Sequence, residues 1–427
     1  MSDEQENLLI KVSQDELNAI LRKHKMYRSA RVGGSRAQLA RHDLSGLDLR
    51  GADLSTADMS GVSLNDADVR GAKLDYCTLF GADMRYCDLE SASMVRVDLR
   101  GACLRGATLI RANMTGVDLR EGVLAGTDSK GNIVPLHRGI PDWEAGGANL
   151  SGADLSDARL SGAVAAGTNF SDATMRNSKI IRANLTGANF SGANLEGADL
   201  TMSQMSAANM RGAILINASV NIACLEKASL DGAMTNLPLG PTAKDMELPL
   251  EEMLRRHAAW VVSNGKSGVA MDISGHDMRG TKIFARACLT LMKAAGAVFY
   301  GISLVEAQMQ AANLRNADMR YVNGERVDVR GADMTGTRLT NANLRGARFD
   351  PLVLPEGGSV VSNLSGANLR YANLSGVNFR QAKLRNADLS FANLEDADLE
   401  GADLTGTNLM GARLGTAQKE AIAGLKR

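Results

Sequence analysis

The side chains most suited to metal binding or nucleophilic catalysis are few in this sequence: five histidines and five cysteines among 427 residues. The histidines are His24, His42, His137, His257 and His276, and no two stand at a spacing that would chelate zinc. The cysteines are Cys77, Cys87, Cys103, Cys224 and Cys288, an odd number with no CxxC pair. No GxxxxGK[ST], HExxH or GxSxG arrangement is present, so phosphate cradling, zinc-dependent proteolysis and the serine-hydrolase elbow lack their residues. The sequence therefore reads as a non-enzyme with no catalytic, cofactor-binding or metal site and no cofactor.

The recurring charged motif is Asp-x-Arg, at 48/50, 68/70, 83/85, 98/100, 118/120, 277/279, 318/320 and 328/330. Its regularity points to an underlying repeat, and from Leu44 one is plain. An aliphatic residue or Met returns every five positions through Leu49, Leu54, Met59, Leu64 and on to Leu124. Five residues advance an α-helix by about 500°, a drift of about 140° per repeat, which would wind these side chains around the helix. In a flat strand an odd period would alternate them between faces. A chain that turns a corner in every repeat brings the same position back toward one axis.

The remaining positions agree with corners. Two residues before each large side chain stands a small one (Ala52, Ala57, Ala67, Ala72), and Asp or Asn stands between them (Asp53, Asp58, Asp68). Short Asx side chains bond local backbone at turns, and the Gly that often opens the next repeat tolerates unusual φ. Leu and Ala should point inward and the other three positions outward. Cys77 and Cys87 fall on the inward small position and read as filler.

The blocks LDLRGADLS, ANLTGANFSGANLEGADLT and ADLEGADLTGTNL fit the pattern A(D/N)LxG, and by it the sequence resembles the pentapeptide-repeat family over roughly three quarters of its length. The resemblance implies an all-β fold, a right-handed quadrilateral β-helix with four repeats per coil and coils about 4.8 Å apart. Some members of that family imitate the width and negative charge of duplex DNA and so regulate or protect type II topoisomerases.

All seven prolines and both tryptophans lie outside the clean repeats, which marks three interruptions. Segment 125–146 reads as an inserted loop, 350–361 as irregular and at most one poor coil holding Leu354 in register, and 235–272 as a helical insert or second cap. ELPLEEMLRRHAAW in 247–260 parallels SQDELNAILRKHKMY in 13–27, with His24 against His257 and His42 against His276. The layout is thus a cap and link over 1–40, a first β-helix over 41–234, the helical segment 235–272, and a second β-helix over 273–427 with a short C-terminal cap at 416–425. Ser13 and Glu16 form a capping box for the first helix, which presents Leu17, Ile20, Leu21 and His24 on one side. Such a helix can cover the exposed edge of a repeat stack.

Basic and acidic residues number 48 each, so no global field draws in nucleic acid or an anionic membrane. No apolar run approaches the length of a membrane span, and the opening MSDEQENLLIKV lacks the basic and apolar regions of a signal peptide. The expected setting is reduced and cytoplasmic, without a membrane partner. Residues 273–349 carry 11 basic against 6 acidic side chains, which makes Arg315, Arg320, Arg326, Arg330, Arg338 and Arg345 candidate contacts for a partner. Tyr371 with Phe391, twenty residues apart, and the interruption residues Trp143 and Trp260 are further candidates. Glu395, Asp396, Asp398, Glu400 and Asp403 cluster near the end, allowing head-to-tail or homodimeric contact. The expected function is a non-catalytic scaffold for an unnamed protein partner. Topoisomerase regulation by DNA mimicry is the alternative, disfavoured by the neutral, arginine-rich surface, and direct nucleic-acid binding is disfavoured likewise.

Overall fold

The computed structural model describes residues 9–122, 125–127, 133–135, 147–220, 227–415 and 418. The physical logic of the repeat is visible in one copy, Asp68 to Ala72. The Asp68 N–H donates to the Leu47 carbonyl of the coil before, and the Val69 and Gly71 N–H groups donate to Asp88 and Glu90 of the coil after. The Ala72 N–H closes the corner on the Val69 carbonyl, 3.1 Å away. The Arg70 N–H, which no backbone group reaches, is taken by the Asp68 carboxylate. All five N–H groups are thus satisfied, as a closely packed backbone demands.

The corner bond joins residues three apart, and the third residue has positive φ, +63° at Gly51 and +64° at Gly71. Those are the features of a type II turn. One such corner every five residues and one parallel bridge every twenty, as in Asp48 to Asp68 to Asp88, make a coil with four corners. Inside each coil Leu, Met, Phe and Ala are buried, as their positions predict, and Cys77 and Cys87 are buried with them. Phenylalanines stack between coils, Phe170 on Phe190 at 4.9 Å and Phe349 on Phe379 at 4.8 Å.

The chain divides into two compact units, 1–237 and 238–427. In the first, β1 (Ile10–Lys11) precedes α1 (Gln14–Arg28) and pairs in parallel with β2 (His42–Asp43). The capping box forms: Glu16 accepts from the Ser13 N–H, and the Ser13 hydroxyl oxygen accepts from the Glu16 N–H. The amide of Gln14 both donates to the Asp48 carbonyl and accepts from the Asp48 N–H, so one side chain stands in for the coil missing below. Buried His24 does the same with a ring. Its Nδ1 accepts from the Ala37 N–H at 3.0 Å, and its Nε2 lies 3.1 Å from the Ser55 carbonyl, which assigns the proton to Nε2.

In the first unit the bridge Thr108 to Asn149 spans 41 residues where neighbouring coils need twenty, so a segment is inserted into a coil, and within it β3 (Ala125–Thr127) pairs antiparallel with β4 (Ile133–Pro135).

The second unit repeats the first unit's entry. Thr242 pairs in parallel with Asp277, and α2 (Leu250–Val262) follows it with His257 buried. The His257 Nδ1 accepts from the Met271 N–H at 3.0 Å. The arm before each helix adds a short strand below the first coil, a feature absent from the helix, link and coil expected from sequence. One extra residue near Gly280 explains the ragged start, since Asp272 pairs with Lys293 at a spacing of 21.

Residues 350–361 depart from the expected coil. Asp333 pairs with Asn363, a spacing of thirty, and the additional ten residues project as the hairpin β5 (Leu352–Val353) and β6 (Ser359–Val360). Leu354 is 40% exposed, so its register with the repeat is coincidental. The expected C-terminal cap falls on residues that, apart from Gln418, lie outside those described, as do His137, Trp143 and Cys224. Gln418 donates to the Ala397 carbonyl of the last coils.

Two predictions follow from this geometry. Gly46→Ala meets no atom within 4 Å, so only the positive φ opposes it, costing about 1–2 kcal/mol. A Cβ on Gly101 would sit 2.2 Å from the Gly122 carbonyl oxygen, so Gly101→Ala should shift the denaturation midpoint of the protein further than Gly46→Ala does. Equal shifts would contradict the corner geometry.

The second concerns pH. Burial holds the His24 and His257 imidazoles below their usual proton affinity, against the opposing pull of the Ser55 and Thr290 backbone. The fold therefore prefers them neutral, and their contribution is complete above the unfolded value of about 6.5 and declines as pH falls below it. The melting temperature should drop between pH 7 and 5, and the double variant His24→Gln, His257→Gln should flatten that drop. An unchanged slope would show that the caps do not titrate.

Candidate interaction surface

The outward positions are organised by the same carboxylate that closes the corner. In Asp48 one oxygen accepts from the Arg50 N–H and Nε–H, both at 3.0 Å, and the other accepts from Nη2–H at 2.6 Å. The Arg50 side chain and backbone bonds pull the Asp48 carboxyl down to about 2. The eight Asp-x-Arg pairs whose aspartate precedes an inward Leu, Met or Val all form this contact. Neighbouring coils are cross-linked as well, with Arg50 at 3.6 Å from Asp68 and Arg70 at 3.5 Å from Asp88. Where the Asx position holds asparagine, the amides form a ladder in which Asn169, Asn189 and Asn209 each donate to the residue twenty before.

The basic stretch of the second unit is neutralised in the same way. Arg315 pairs with Asp333 at 3.0 Å, Arg326 with Glu306 at 2.6 Å and Glu325 at 2.8 Å, and Arg330 with Asp328 at 2.7 Å. Arg338 and Arg345 lie 3.8 Å from Asp318 and Glu325. Arg320 departs from its expected place on the surface: it is 3% exposed, folded onto Asp318 beside Tyr300 and Tyr321. The aromatic pair Tyr371 and Phe391 stacks at 5.2 Å, but Phe391 is buried, its ring lying where a Cβ on Gly411 would be. Trp260 stacks on His257 at 5.8 Å and so belongs to the cap of the second unit. Arg100, twenty residues on from Phe80, covers its ring at 5.3 Å. Of the acidic cluster near the end, Glu400 pairs with Arg380 and Asp403 with Arg385.

Two surface concavities escaped the sequence reading. One, of about 630 Å³, is lined by Tyr27, Arg28, Arg36, Thr56 and Tyr76. The other, of about 420 Å³, lies in the second unit among Leu239, Val298, Asn316, Asp318 and Arg338. The signal for the first was present at Thr56 and Tyr76, twenty residues apart, where the corner position carries a side chain instead of Gly. Among the described residues no group of three or more His, Cys, Asp or Glu could hold a metal ion, and no helix is long and apolar enough to cross a membrane.

The five-residue corner, the twenty-residue coil and the inward Leu define a class of repeat protein. The family model for pentapeptide repeats matches eight times, at 37–75, 72–109, 92–128, 146–180, 178–217, 325–350, 362–401 and 382–416. These matches cover more than half of the sequence, and the chain belongs to the pentapeptide-repeat family. No curated protein matches. Among solved structures, a pentapeptide repeat protein from the Arabidopsis thaliana thylakoid lumen is 28% identical, over 25% of this chain and 67% of its own, with a TM-score of 0.22. Trypsin-treated QnrB1, a plasmid-mediated fluoroquinolone resistance protein, is 17% identical over 47% of this chain and 92% of its own, with a TM-score of 0.27. HetL, involved in heterocyst differentiation regulation in the cyanobacterium Nostoc sp. strain PCC 7120, is 20% identical over 93% of this chain and 95% of its own, with a TM-score of 0.14. Scores this low carry no functional argument.

Burial separates two ion pairs of the same motif. Removing Asp318 leaves the enclosed Arg320 charge without its main partner, and Asp318→Ala should cost about 3–5 kcal/mol. Asp48→Ala removes an exposed pair and uncovers an Arg50 N–H that water can reach, so it should lower the denaturation midpoint clearly less than Asp318→Ala does. Comparable losses in urea denaturation would refute the distinction.

Proposed function

We propose that the chain is a non-catalytic, cytoplasmic scaffold that binds a protein partner, built on two right-handed quadrilateral β-helices of the kind its family implies. The observation that carries this reading is the filled interior. Leu, Met, Phe and Ala occupy the inside of the coils, leaving recognition to the outer columns, the hairpins and the caps. The inserted hairpin β5–β6 is the first candidate for contact, because Val353 and Val360 are exposed on a segment the coil does not need. DNA mimicry has less support, since a mimic needs free carboxylates and here the Asp-x-Arg carboxylates are each held by an arginine.

Proximity labelling with the full chain, compared with a variant in which 352–360 is replaced by a short Gly-Ser link, tests the reading. The expected result is one reproducible protein neighbour that the variant loses while its melting temperature is kept. Labelling with no reproducible neighbour would count against a scaffold, and inhibition of a supercoiling assay by the protein would favour the alternative.

A further inference from the structure

The two units supply a comparison within one molecule, because each begins with the same cap. His24 and His257 are both buried, both accept an N–H bond at Nδ1 from the first residue of the coil, and both carry an aromatic ring three residues later. Those are the parts that capping needs. The concavity beside the cap is a different matter. In the first unit it is lined by Tyr27, Arg28, Arg36, Thr56 and Tyr76. Aligned on the histidine, on the N–H it receives and on the corners, the corresponding residues of the second unit are Trp260, Val261, Ala270, Leu291 and Ala311. Both arginines, the threonine and one of the two tyrosines are replaced by apolar residues, so a working cap does not require them.

On a surface where arginines are habitually held by carboxylates, Arg28 and Arg36 form no ion pair among the described residues. The Nε–H of Arg36 donates to the Thr56 carbonyl at 2.6 Å, which fixes the guanidinium and leaves its Nη groups available. Asp53, whose carboxyl feels the Arg28 charge, is already engaged by the Ser55 N–H and hydroxyl. Tyr27 uses one face against His24 and is 47% exposed, and Tyr76, at a corner with φ of +60°, is 56% exposed. Two guanidiniums without an ion pair among the described residues, beside two accessible rings, match an anion attached to a flat ring, with the charge bonded by arginine and the ring stacked on tyrosine.

We propose that this cleft in the first unit is a binding site for a nucleoside phosphate. The proposal stands independently of the scaffold reading. Adenosine 5′-monophosphate, adenosine and inorganic phosphate, each titrated calorimetrically into the full-length protein, test it. One saturable site for the monophosphate is expected, with adenosine and phosphate each at least tenfold weaker. Arg28→Gln and Tyr76→Ala, both at exposed side chains, should each weaken the monophosphate at least tenfold while leaving the melting temperature unchanged. No saturable binding, phosphate binding as tightly as the monophosphate, or wild-type affinity in both variants would overturn it.

Discussion

The structure depends on how five N–H groups find five acceptors. Three go to the coils before and after, one closes the corner, and the last, at the residue following Leu, has no backbone acceptor within reach. The Asp or Asn before Leu supplies it, as Asp68 does for Arg70 and Asn149 for Ser151. That requirement explains the Asx position better than any preference for polar surface. It also explains the exclusion of proline. The second position of a type II turn ordinarily welcomes proline, but here its N–H is bonded to the Asx side chain.

The same accounting makes the ends costly. The first coil of each unit has N–H and C=O groups aimed at a coil that does not exist, and an unpaired sheet edge invites association. The cap of the first unit answers this group by group. Gln14 serves both backbone groups of Asp48, His24 serves Ala37 and Ser55, and the arm before α1 serves Arg41 through the Ile10 N–H. An imidazole suits the task because its neutral form offers one donor and one acceptor at fixed separation, and burial keeps it neutral.

Much of this was legible in the sequence, because a period of five is incompatible with a helix or a flat strand and each position had one residue type. The Asp-x-Arg contacts were legible for the same reason, being local and repeated. Arg320 and Phe391 were not. Both occupy outward positions, and their burial comes from what lies around them: Tyr300 and Tyr321 about Arg320, and stacked Tyr371 against Phe391. The 350–361 hairpin was hidden by Leu354, which falls five residues after the inward Phe349 although its segment has left the coil. The strand pairing before each cap helix was hidden too, since two residues carry no periodicity.

Freedom in this fold is therefore concentrated at two positions of each repeat, the residue after Leu and the corner. The corner is the more informative, because a side chain there accepts a left-handed backbone that costs about 1–2 kcal/mol relative to the usual region, and Gly avoids that cost. Thr56, Tyr76 and Leu291 all accept it, with φ of +68°, +60° and +63°. A large side chain at a corner also spreads over the next coil, as Tyr86 does over Gly106, so it remakes the surface without touching the ladder. The duplicated caps illustrate the consequence: the histidine that accepts the first N–H of the coil recurs, while Thr56 and Tyr76 in one unit stand against Leu291 and Ala311 in the other. The backbone fixes the frame, and the corners are where two units with one frame come to present different chemistry.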